Sequence, residues 1–173
     1  MREAIEIHIP DLRRYARALL GDHVDAEELV QECLVRALAR RHFWPSIRDP
    51  RAYLFTILHN AYVDNLAKRK RAGTHVDFDS VVTRLSRPAP QPASLELRDL
   101  ARALAELPDE QRETVLLVGL EGLSYQQTAE VLGVPIGTVM SRLSRGREFL
   151  RRSMEGEDQL SLHGPRQTAG LRS

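Results

Sequence analysis

Apolar residues along this chain recur at helical spacing and do not gather into the alternating runs of half-buried strands. Leu12, Tyr15, Ala16 and Leu19 form an i, i+3, i+4, i+7 stripe, with Pro10 suited to its first turn and Gly21 to its end. A second stripe, Leu29, Val30, Cys33, Leu34, Ala37 and Leu38, predicts a helix over about 26–41, with Asp25 as cap and Glu28 three residues on. Asp49-Pro50 opens a third, carrying Tyr53, Leu54, Ile57, Leu58, Ala61 and Leu66 and running into Lys68, Arg69, Lys70 and Arg71 before Gly73. Residues 72–94 lose this period, and Pro88, Pro90 and Pro92 alternate with small or polar residues. They read as a linker that spans roughly 70 Å when extended at about 3.1 Å per residue.

Periodicity returns over 95–153. Leu97, Leu100, Leu104 and Leu107 predict one helix ending at Pro108, and Val115, Leu116 and Val118 a second closed by Gly119 and Gly122. Ser124, with Gln127 three residues later, has the form of a capping box for a short helix containing Thr128, Ala129, Val131 and Leu132. Gly133 supplies the turn and Pro135 starts the next helix, whose Val139, Leu143, Gly146 and Leu150 share one face. Thr138, Ser141, Arg142 and Arg145 lie on the other. Two helices about a tight glycine turn, the second polar and rich in arginine, describe a DNA-reading helix-turn-helix. Arginine can form two hydrogen bonds to a guanine edge, and Thr138 and Ser141 suit phosphate or base contacts. The competing reading is a plain helical hairpin with a solvated arginine face. Residues 154–173 carry no stripe and read as a disordered tail.

The predicted fold class is therefore all-α: two small helical domains, at 1–71 and 95–153, joined by a flexible Pro-rich linker at 72–94. The 25 Lys and Arg against 24 Asp and Glu leave a net charge of +1, which hides a segregated distribution. Acid gathers around 25–32, and base at 68–71 and 142–152. One cysteine, Cys33, excludes an internal disulfide framework and any multi-cysteine metal site. No apolar run is long enough for a membrane span, and Met1 is not followed by a leader-like stretch. A reducing, cytoplasmic setting is the expectation.

Two segments carry a family resemblance. LPDEQRETVLLVGLEGLSYQQTAEVLGVPIGTVMSRLSRGREFLRR is similar to domain four of bacterial extracytoplasmic-function (ECF) sigma factors, of the sigma-70 family. DAEELVQECLVRAL followed by RAYLFTILHNAYVDNLAKRKR resembles their domain two, and FTILHN and SRLSRGRE are similar to an alphaproteobacterial general-stress group. The resemblance implies a factor that binds core RNA polymerase and directs promoter-specific initiation, reading duplex DNA at −35 and melted DNA at −10. It assigns Glu28, Leu29, Gln31 and Glu32 to the clamp coiled coil of the polymerase largest subunit. Acids near a helix N-terminus are also favoured by its dipole, with no partner required.

For the −10 element the resemblance points to Asn60 beside a flipped-base pocket, to Trp44 lining it, and to Lys68, Arg69, Lys70 and Arg71 along the backbone. Trp44 reads equally as a core anchor, and the basic run as a solvated helix end. Thr138, Ser141, Arg142 and Arg145 would read the −35 element. Two positions depart from the family: Met140 stands where Lys or Arg is frequent, and Tyr53 where Trp is frequent. An anti-sigma factor, often membrane-tethered, is a further implied partner.

A stand-alone dimeric helix-turn-helix regulator would share the C-terminal motif, but the N-terminal unit has no ligand-pocket signature. For an enzyme the chain offers no Gly-rich phosphate loop and no HExxH, and its six histidines are scattered. His59, beside Asn60, reads as a helix-surface histidine. No catalytic residue, metal or cofactor is expected.

Overall fold

The computed structural model describes residues 2–72 and 95–161, which are helical with short connections. A short helix α1 (Arg2–Glu6) precedes α2 (Ile9–Leu20), which ends at Gly21 in the left-handed conformation. Helix α3 (His23–Ala39) begins three residues earlier than the sequence suggests, because Asp22 rather than Asp25 caps it. The Asp22 carboxylate accepts from the backbone N–H groups of Val24 and Asp25 at 2.8 and 3.0 Å. A 3₁₀ segment (Arg41–Ser46) leads to α4 (Pro50–Arg71), capped by Asp49, which accepts from the Ala52 N–H at 3.0 Å.

In the second half, α5 (Leu95–Glu106) and α6 (Asp109–Val115) pass into a five-residue π-helical turn (Leu116–Leu120). The Glu121 N–H reaches back five residues to the Leu116 carbonyl at 3.0 Å. This extra residue rotates the succeeding chain by about 100° relative to an α-helix. Helix α7 (Tyr125–Leu132) and helix α8 (Ile136–Ser161) complete the fold. The segment read as a tail from 154 is helical as far as Ser161: Arg151 pairs with Glu155 one turn on, at 2.8 Å, and carries the helix past Arg152. The linker residues 73–94 and the residues 162–173 lie outside the described residues. No described helix is long and apolar enough to cross a membrane.

Tyr15, Leu12, Val30, Leu54, Phe55 and Leu58 form the centre of the first unit, with the Tyr15 and Phe55 rings edge-to-face at 5.4 Å. Cys33 is buried here and burial pushes its thiol up to about 12, so it is a small packing residue and not a reactive one. The same cluster continues into Leu116, Leu117, Leu123, Val131 and Leu132. The two units thus share one apolar core, where the sequence suggests two separate ones. Burial of these side chains is the main force holding the halves together, since each fully buried Leu or Val contributes roughly 1.5–3 kcal/mol.

Candidate nucleic-acid interface

Local chemistry builds the helix-turn-helix as its sequence suggests. The Ser124 hydroxyl accepts from the Gln127 N–H at 3.1 Å, and the Gln127 side-chain carbonyl accepts from the Ser124 N–H at 2.9 Å. Gly133 turns the chain at φ 64°, a conformation that costs other residues a Cβ clash. Val139 and Leu143 are buried under α8, and Gly146 lets it approach α6: a Cβ there would meet Val115 Cγ2 at 2.6 Å. Ser124→Ala is expected to lower the stability of this unit by about 1 kcal/mol, read as a downward shift in the midpoint of denaturant unfolding.

The four candidate −35 residues do not stand alike. Ser141 and Arg145 are exposed, and Thr138 is partly covered. Arg142 lies off the outward face and donates to Glu110 at 2.8 Å. In this conformation it braces α8 on α6, and it must exchange Glu110 for DNA before it can contact a base or phosphate.

The −10 candidates divide in the same way. Asn60 is exposed on α4, and Lys68, Lys70 and Arg71 are exposed on its last turns, with Arg69 partly covered by neighbours. Arg69 bonds Asp25 at 3.2 Å. Trp44 is only 8% exposed; its indole N–H donates to the Ala37 carbonyl at 3.2 Å and its ring meets Tyr53 edge-on at 6.0 Å. Of its two sequence readings, this geometry is that of the core anchor.

The acidic surface of α3 is also partly sequestered. Gln31 and Glu28 are exposed, but Leu29 belongs to the core, so it supports that face from beneath and does not present itself to a partner. Glu32 accepts from Asn65 at 2.9 Å and from Arg36 at 2.6 Å. Burial pushes its carboxyl up, but these donors together outweigh burial and hold it below the ordinary range. Glu28, Glu32, Lys68 and Arg69 share a cleft of about 280 Å³ between α3 and α4.

A cluster absent from the sequence-based candidates joins the halves. The Glu121 side chain is 0% exposed. Its carboxylate accepts from Arg14 at 3.0 and 2.6 Å and from Arg51 at 2.9 Å, and Asp11 bridges both arginines. Arg51 also donates to the Glu121 carbonyl at 2.9 Å. His59 is not a free surface histidine: its Nδ1 lies 2.7 Å from Glu113 Oε1. Gln127 donates to Asp49 at 2.8 Å; the Ala52 N–H, with Gln127 in support, holds that carboxyl below its ordinary range. The one signal available in the sequence was an acid, Glu121, set between apolar neighbours in LEGL.

Family models match at both ends of this arrangement. The sigma-2 domain of PhyR matches residues 5–59, and sigma-70 region 4 matches residues 97–150. The ECF RNA polymerase sigma factor EcfG of Rhodopseudomonas palustris is 40% identical over 151 residues, 87% of this chain and 82% of the relative. The chain belongs to the ECF sigma factor family. It binds core RNA polymerase and directs promoter-specific transcription initiation.

Other relatives of this sigma factor include SigE of Mycolicibacterium smegmatis, 35% identical, with 86% of this chain and 59% of the relative covered. Among solved structures, the sigma factor RpoE of Bartonella quintana, in complex with the anti-sigma factor NepR, has a TM-score of 0.73 and 34% identity. That match covers 89% of this sigma factor and 96% of RpoE. The PhyRSL–NepR complex of Sphingomonas sp. Fr1, at 22% identity and a TM-score of 0.64 over 98% of this sigma factor and 96% of the other chain, shares the fold.

Proposed function

We propose that this sigma factor reads the −35 duplex through Ser141 and Arg145, with Thr138 beside them and Arg142 joining once released from Glu110. Asn60 would hold a base drawn from the melted −10 element, with Lys68, Arg69, Lys70 and Arg71 on the backbone and Trp44 supporting the site from within the core. Pulling a base from the stack costs a few kcal/mol, and an amide can return part of that through hydrogen bonds to a base edge. Glu28 and Gln31, with Glu32 behind them and Leu29 beneath, would meet the polymerase clamp. The factor recruits and positions; phosphoryl transfer belongs to the polymerase. Its work is placed in the cytoplasm, and the partner of RpoE suggests that an anti-sigma factor of the NepR type holds it in reserve.

The observation that carries this reading is the exposed polar face of α8 on a doubly capped helix-turn-helix, with an exposed asparagine and basic run on α4. Core polymerase with the purified factor is expected to give transcripts from a promoter that core alone does not use. Arg145→Ala should cost about 1–3 kcal/mol of promoter affinity and reduce the penalty for altering the −35 element. Asn60→Ala should slow strand opening more than it weakens duplex binding. Equal loss in both steps would remove the flipped-base role.

A further inference from the structure

The flank of α8 that adjoins its reading face carries an apolar feature that phosphate and guanine contacts leave unused. Met140 is 53% exposed in the second turn of the helix, preceding the exposed Ser141 in the chain and about 100° from it around the helix, on the side that lines a cleft with α7. Tyr125, the first residue of α7, is 37% exposed and lines the same open cleft of about 590 Å³. The cleft continues along α8 through Ser144 to Arg147, Glu148 and Arg151, one to two turns further on. An exposed methionine and tyrosine thus meet at the N-terminal end of the recognition helix, and arginines follow toward its middle.

The early residues of such a helix are those that reach base edges in the major groove. Four base-pair orientations present only one apolar group there, the thymine 5-methyl. A thioether chain offers no strong hydrogen bond, so Met140 cannot replace the guanine contact of a Lys or Arg at this site. It can enclose a methyl group, with Tyr125 as the second wall. Arg147 lies where charge complementarity to phosphate would hold that register, whereas Arg151 is engaged by Glu148 and Glu155. We propose that Met140, with Tyr125 across the cleft, is a specificity-determining residue that selects a thymine in the −35 element by its methyl group. This rests on the helix-turn-helix reading −35 DNA, and it names a base that the polar residues do not.

The test uses holoenzyme assembled with the full chain, on a promoter that it transcribes. Each thymine of the −35 footprint is replaced in turn by deoxyuridine, which removes only the methyl. The wild type is expected to lose roughly fourfold in affinity at one position, the value of one buried methyl-sized group. Met140→Ala, an exposed truncation that leaves the core intact, should lose a similar factor on the unmodified promoter and nothing further at that deoxyuridine. Tyr125→Ala should weaken the same coupling.

Equal deoxyuridine penalties in wild type and Met140→Ala at every position would overturn the proposal. So would a Met140→Ala defect in holoenzyme assembly with DNA coupling intact, which would assign the cleft to a protein partner. Arg145→Ala separates the two levels of inference. If it abolishes −35 dependence while no deoxyuridine effect is tied to Met140, only the thymine assignment fails. If neither variant alters −35 dependence, the helix-turn-helix reading itself fails.

Discussion

Replacing Arg14 and Arg51 together by alanine is expected to part the two halves of the sigma factor. The Glu121 carboxylate is 0% exposed and draws its side-chain hydrogen bonds from these two guanidiniums. Breaking a buried ion pair by removing one partner costs about 3–5 kcal/mol, because the remaining charge stays desolvated and unpaired. Here the least costly response is for the interface to open and return Glu121 to water. The double variant should therefore show a longer distance between fluorophores placed on α3 and α8, with the helical content of each half retained. An unchanged distance would show that the apolar contacts of Leu116, Leu117 and Leu123 suffice to keep the halves together. A third variant distinguishes the charge from the packing. Adding Glu121→Met to the double alanine variant removes the stranded carboxylate and should recover part of the closed population.

The opened variant also bears on promoter use. His59, next to Asn60, meets Glu113, and Glu110 one turn away holds Arg142 of α8. In this packing the −10 and −35 candidates are therefore separated by a few side-chain lengths. Promoter elements centred near −10 and −35 lie roughly 85 Å apart at 3.4 Å per base pair. Both cannot be read at once without separation of the halves. If only the open form binds, apparent promoter affinity falls by the open fraction. The double alanine variant should then form promoter complexes at lower concentrations of the factor than the wild type.

The second large effect is expected at Trp44. Truncation to alanine should cost about 3–5 kcal/mol of folding stability, measured by denaturant unfolding, because a buried indole leaves a cavity between α3 and α4. Trp44→Phe keeps the edge contact with Tyr53 and loses the hydrogen bond to the Ala37 carbonyl. It should cost about 1 kcal/mol and leave −10 opening near the wild-type rate at a temperature where the fold is intact. A large opening defect in the well-folded Trp44→Phe variant would instead make the indole part of the base pocket.

Much of this molecule was legible because its signals are local. The stripe ending at Gly21, the Asp49-Pro50 start of α4, and the Ser124, Gln127 and Gly133 signals each act within one or two helical turns. The errors were of the same scale. Asp22 and Asp25 compete for one cap, and only the backbone angle at Asp22 decides between them. The Arg151–Glu155 pair extends α8 where the stripe has ended. Trp44, Leu29 and Arg142 were harder. Their types suit an interface, and their neighbours in space, Ala37, the core and Glu110, turn them inward.

The sequence by itself determined the helices, their caps, the helix-turn-helix and the family, since each arises from residues close in the chain or from an ordered series of them. Tertiary structure alone decided that the halves close on one core and that Glu121 is clasped between Arg14 and Arg51. Those partners are 107 and 70 residues distant along the chain. No period or motif encodes such a contact: it arises when separate apolar faces find each other and a charge caught between them must be paired.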